Sequence, residues 1–147
     1  MRKNNQVAIY CSFRENDEIF YILIKRNEER GGFWQPITGG EEDFDQNDLT
    51  KTVIRETKEE LGINISKKQI FQIPYFFKFT DKERIEKTEY CFGVFLSSKQ
   101  KKGIRLSEEH TAIIYSKDPE YLKSLLEYKE NKIGLKKFVE LLKNRNL

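Results

Sequence analysis

Apolar and polar positions alternate along this chain in short runs, and one longer stretch repeats with helical spacing. Val7 to Phe13 (VAIYCSF) predicts a first strand, Glu15 to Glu18 a turn, and the β-branched and aromatic run Ile19 to Ile24 the second strand of a hairpin. That strand ends in Lys25-Arg26 and a polar, glycine-ended loop, Asn27 to Gly32. Ile70 to Thr80 and Thr88 to Leu96 predict two more strands around a charged turn, Asp81 to Lys87, and the apolar end of Leu106 to Tyr115 predicts another. Two helices follow. Asp118 caps the first with Pro119 in its opening turn and Leu122, Leu125 and Leu126 as its stripe; Asn131 to Asn144 supplies the second, with Ile133, Phe138, Leu141 and Leu142.

The helical spacing falls between Asp48 and Leu61. Asn47 or Asp48 supplies the N-cap, and Gly62 takes the left-handed position after the last turn. At ~100° per residue, Val53, Ile54 and Leu61 share one face, while Glu56, Glu59 and Glu60 fall within an arc of roughly 100°. Three carboxylates near a helix C-terminus repel one another and meet the negative end of the helix dipole. Such a face is either plain solvated surface or a grip for a hard cation, Mg²⁺ or Mn²⁺, which takes oxygen ligands. Arg55 lies beside it, one turn before Glu59.

Composition narrows the class. The 147 residues suit one domain, residues 1–147, with 35% charged and 13% aromatic residues. A net charge of +3, from 27 basic against 24 acidic residues interspersed along the chain, makes a polynucleotide partner unexpected. No apolar run approaches the ~20 residues of a membrane span, and MRKNNQVAIY lacks a signal-peptide core. Cys11 and Cys91 read as buried free thiols of a reducing cytoplasm.

The stretch GGEEDFDQNDLTKTVIRETKEELGINI resembles the Nudix signature, G-x5-E-x7-R-E-U-x-E-E-x-G-U with U apolar; Gly40, Arg55, Glu56, Glu59, Glu60, Gly62 and Ile63 match. The loop between Gly40 and Arg55 is one residue longer than the pattern, and Asn47 stands where the pattern's first glutamate is expected. Glu42, Asp43 and Asp45 are the acidic residues available to replace it. Thr57 occupies a position that is usually apolar.

The resemblance implies an α+β fold, the Nudix-type α/β/α sandwich with a mixed central sheet, and hydrolysis of a nucleoside diphosphate linked to X with Mg²⁺ or Mn²⁺ as cofactor. Glu56, Glu59 and Glu60 with the Gly40 carbonyl (or that of Gly39) are then the metal ligands. Arg55, Glu59 and Glu109 are the catalytic residues, with Arg55 orienting Glu59 and Glu108 in reserve for Glu109. Glu109-His110 resembles the Glu-His element before a late strand in many Nudix enzymes; His110, the only histidine, reads as structural. Arg26, Lys25, Gly39 and Trp34 are implied at the substrate, although a tryptophan there equally suits a core lid. The segment FWQPITG is similar to one preceding the signature in bacterial dihydroneopterin triphosphate (dATP) pyrophosphohydrolases, which points to a triphosphate cleaved to a monophosphate and pyrophosphate. ADP-ribose, dinucleoside polyphosphates and RNA 5′ ends are the alternative substrates, and non-catalytic nucleotide binding by a regulator is the alternative role. The expected partner is a small nucleotide, and the expected state a cytoplasmic monomer or homodimer.

Overall fold

The computed structural model describes residues 2–145. Strand β1 (Arg2–Glu15) turns through Asn16 and Asp17, both at positive φ, into β2 (Glu18–Arg26). After a short turn come β3 (Trp34–Gln35) and β4 (Ile37–Glu42), then helix α1 (Leu49–Leu61). The hairpin β5 (Ile70–Thr80) and β6 (Glu86–Leu96) follows, then the short helix α2 (Ser98–Lys102) and β7 (His110–Ser116). Helices α3 (Pro119–Leu125) and α4 (Lys129–Asn144) end the described chain.

Strand β1 is the spine of a mixed sheet with order β3-β2-β1-β6-β5. One edge runs parallel to β6, from Asn5 opposite Thr88 to Phe13 opposite Leu96. The other edge is divided: residues up to Ile9 pair with β4, and Cys11 to Glu15 pair with β2. Strand β7 adds to the free side of β2.

The period of two along β1 builds both faces of the sandwich. Val7, Ile9, Cys11 and Phe13 pack with Val53 and Leu61 of α1, with Phe92 and with Val94. Ala8 and Tyr10 face the other way, against Leu122 of α3 and Leu135, Phe138 and Leu142 of α4. Each large apolar side chain so buried stabilises the fold by about 2 kcal/mol. The mixed sheet between α1 and the C-terminal helices is the arrangement expected from the sequence. Cys11 and Cys91 are free and buried, one in each core. No helix among the described residues is long and apolar enough to cross a membrane.

Three elements differ from the sequence reading. Strand β1 starts five residues before Val7, because the polar segment before it is paired to β4 and β6 on its two edges. Strand β4, written ITGGEE, has branched residues only at Ile37 and Thr38, followed by two glycines and two glutamates, yet Ile37 to Gly40 pair residue by residue with β1. Helix α2, SKQKK, has no apolar stripe and is held by its Ser97–Gln100 capping box.

Candidate functional site

Helix α1 carries the site, and its ends are defined by its own sequence. The Asp48 carboxylate accepts from the Thr50 backbone N–H at 3.0 Å, and Gly62, at φ 71°, donates its N–H to the Lys58 carbonyl at 2.9 Å. Of the two candidate caps, Asp48 is the one used.

Ahead of α1, the extra residue is absorbed by a tight turn. Asp43–Asp45 forms one turn of 3-10 helix, and Gln46 and Asn47 follow at φ 57° and 59°. This turn buries Asp45 beneath the helix. Its Oδ2 accepts from Thr52 Oγ1 at 2.8 Å, the Glu42 N–H at 2.9 Å and Arg55 Nη2 at 2.9 Å, and its Oδ1 from Arg55 Nε at 3.3 Å. Burial works against the charge, but the hydrogen bonds and charge of Arg55 hold the Asp45 carboxyl below its usual range.

Arg55 gathers the remaining groups. Its Nη2 donates to the Gly40 carbonyl at 2.8 Å, and its Nη1 reaches Glu56 at 3.3 Å and Glu59 at 3.4 Å. Phe44 lies across the guanidinium, 5.2 Å from ring centre to Cζ.

Glu56 is packed on Gly39 so closely that a Cβ there would stand 2.0 Å from its carboxyl carbon. Burial, then the hydrogen bond and charge of Glu59, push the Glu56 carboxyl up to about 8. Glu60 is buried too, and its Oε2 lies 2.9 Å from His110 Nδ1. Burial alone would raise it; the hydrogen bond and charge of His110, with contacts from Glu109 and Ser107, hold it below the usual carboxylate range. Glu109 also pairs with Arg30 at 2.8 Å, and Glu59 is half exposed.

The remaining sequence candidates lie on the strands beside α1. Arg26 sits opposite His110 in the β2–β7 register and lines a cleft of about 480 Å³, with its Nε buried and unpaired among the described residues. The walls of that cleft include Phe33, Gln35, Thr38, Phe77, Phe79 and Tyr128. Trp34 instead packs on the core shared with α3 and bridges to Leu126, and Phe33, Phe77, Phe79 and Tyr128 are the aromatics that line the cleft with Arg26. Lys25 pairs with Trp34 and Ala112 across the sheet and does not line the cleft. Asp45 at Arg55, His110 at Glu60, and Phe33, Gln35 and Glu89 in the lining of the cleft are positions that the sequence reading left out or did not choose.

Among the described residues no three His, Cys, Asp or Glu side chains are gathered closely enough to hold a metal ion in the present side-chain arrangement. The donor chemistry nevertheless fits a hard divalent cation. Glu56 and Glu59 are pressed together, Glu60 and Glu109 adjoin, and no thiol is present.

The NUDIX domain model matches residues 3–136. The chain belongs to the NUDIX domain family. It is a Nudix hydrolase, and the family generally uses divalent metals such as Mg²⁺. No curated protein matches the chain in sequence.

Solved structures share the fold. A protein described as a NUDIX hydrolase from Listeria monocytogenes is 24% identical, with a TM-score of 0.80, over 98% of this chain and 97% of that one. The E. coli dihydroneopterin triphosphate pyrophosphohydrolase is 19% identical, with a TM-score of 0.74, over 94% and 96% of the two chains. The NUDIX domain of Shewanella oneidensis NrtR, solved with ADP ribose, is 13% identical, with a TM-score of 0.68, over 100% and 90%.

Proposed function

We propose that this Nudix hydrolase is a Mg²⁺- or Mn²⁺-dependent pyrophosphohydrolase that converts a nucleoside triphosphate, or a related nucleoside diphosphate linked to X, to a nucleoside monophosphate and pyrophosphate or phosphorylated X. The observation that carries this reading is the convergence of Glu56, packed on Gly39, and Glu59 on the single guanidinium of Arg55. Glu56, Glu59 and Glu60 would hold the cation. When bound, the cation neutralises the diphosphate and lowers the pKa of its water.

The chain's own residues do the rest. Arg55, fixed by Asp45 and Gly40, holds Glu56 and Glu59 on one side of the helix. His110 keeps Glu60 ionised in a buried position. Arg26, which lines the cleft and has an Nε–H without a partner among the described residues, would donate to a phosphate oxygen. The water's proton would pass to Glu59, which is half exposed, or to Glu109 beside Glu60.

Residues 1–147 read as one Nudix domain, because both cores share β1, and the two free thiols suit a reducing cytoplasm. The test is a panel of nucleoside triphosphates, ADP-ribose and dinucleoside polyphosphates with Mg²⁺, with products separated by chromatography. A triphosphate yielding monophosphate and pyrophosphate is the expected result; release of orthophosphate alone, or no turnover with any compound, contradicts it.

A further inference from the structure

Glu89 is buried, yet no catalytic role described above uses it. It sits on β6 opposite Gln6 of β1, and the Gln6 side-chain amide donates to its Oε1. Among the described residues it forms no ion pair, and the charge that acts on it is the like charge of Glu130. A buried carboxylate without a cation is costly, and in a native fold such a group calls for a reason.

The reason lies in what it faces. Glu89, Gln6, Glu130 and Asn131 line the same cleft of about 480 Å³ as Arg26, and this volume suits a nucleotide-sized ligand. Phe33 and Tyr128 meet edge to face on its wall, 5.3 Å between centroids, and Tyr128 is half exposed. Phe77 and Phe79 lie on β5, antiparallel to the segment that carries Glu89.

Strand β4 stands between the cleft and the carboxylate site. Thr38 lines the cleft on the face shared with Ala8, and the next residue, Gly39, meets Glu56 on the opposite face, shared with Val7. An aromatic wall, a buried acidic floor and the Arg26 cation in one cleft together describe a pocket for a heterocycle that carries phosphate.

We infer that Glu89, held by Gln6, reads the edge of the base, and that the base is one presenting two adjacent N–H donors: the 2-amino-4-oxopyrimidine edge shared by guanine and pterins. A carboxylate accepts two parallel N–H bonds from that edge, as it does from a guanidinium. Adenine offers one amino donor beside a ring-nitrogen acceptor, and hypoxanthine keeps the ring N–H but lacks the amino group. Glu130 adds a second acidic group to the same lining, which favours donors further. The inference rests on the nucleotide reading above and names the base within it.

The test is metal-free binding of GMP, IMP and AMP to the whole chain by calorimetry. The wild type should bind GMP at least tenfold more tightly than IMP or AMP, since each unmet polar contact costs on this scale. Glu89→Gln should bring GMP down to the level of IMP. Tyr128→Ala, on the wall, should weaken all three together and leave their ratio intact, which provides a folded comparison should Glu89→Gln be unstable.

Binding of the three within twofold of one another by the wild type overturns the inference, as does a GMP preference that survives Glu89→Gln. Either failure leaves Mg²⁺-dependent hydrolysis untouched as a separate readout. Conversely, a GMP preference in a chain that hydrolyses no nucleotide removes the proposed reaction and keeps the pocket. Turnover of GTP against that of dihydroneopterin triphosphate then decides between the two sources of the edge.

Discussion

Asp45 and Arg55 form a two-point ion pair, with Nη2 to Oδ2 at 2.9 Å and Nε to Oδ1 at 3.3 Å, and this pair closes the loop onto α1. The signature's first acidic position is Asn47 in this chain, but the acid that meets Arg55 comes from two residues earlier. The 3-10 turn and the two left-handed residues after it make that shift possible.

Asp45→Ala leaves a partly buried guanidinium without its main partner, so a loss of about 3 kcal/mol of stability is expected. Activity should fall as well, because Arg55 also orients Glu56 and Glu59. Asn47→Glu should leave activity within twofold of wild type, since Arg55 is already paired. Urea denaturation and initial rates on both variants check this, and a gain of activity in Asn47→Glu would show that the signature position can still be used.

Gly39→Ala places a methyl group where the Glu56 carboxyl lies. The carboxyl end can swing aside, so the stability cost should be about 1 kcal/mol, while turnover should fall about a hundredfold. Thermal melts beside initial rates separate the two effects. Retention of full activity would mean that Glu56 does not need its present place.

Cation binding should release protons. Glu56 is held at about 8 and carries a proton at pH 7, whereas a ligand carboxylate must be ionised. Titration of the apoprotein with MgCl₂ in buffers of different ionisation enthalpy should report release of about one proton per site near pH 7, vanishing above pH 9. Glu56→Gln should abolish the release.

Glu89 predicts a pH dependence of folding. Burial raises its carboxyl from 4.5 to about 7, against a smaller opposing hydrogen bond from Gln6. Below pH 4.5 it is neutral in both folded and unfolded chains. Between pH 4.5 and 7 the unfolded chain ionises first, so stability declines across that window by up to about 3 kcal/mol and is level above it. Glu56 adds a similar decline up to about pH 8, so the difference between wild type and Glu89→Gln, measured by urea denaturation from pH 4 to 8.5, isolates Glu89.

Much of this was legible in the residues. The α1 face was readable because charge and apolar spacing both follow the helical period and Gly62 ends it. The two-sided sheet was readable from β1, β2, β5 and β6, whose branched and aromatic residues leave little alternative. Strand β4 was hidden because its two glycines carry no strand preference, Gly39 serving close approach to Glu56. Asp45 was only one of three acids because its position depends on two left-handed residues that composition does not announce. Glu89 was missed because its significance comes from Gln6, 83 residues away in sequence and adjacent across the sheet.

The account turns on the carboxylates of α1, and Glu59 tests them most directly because it is half exposed and can be changed without disturbing the core. Initial rates of nucleoside triphosphate hydrolysis at saturating Mg²⁺ should fall by about three orders of magnitude in Glu59→Gln, with the melting temperature within about 2 °C of wild type. A Glu59→Gln protein that releases pyrophosphate at near the wild-type rate would contradict the account.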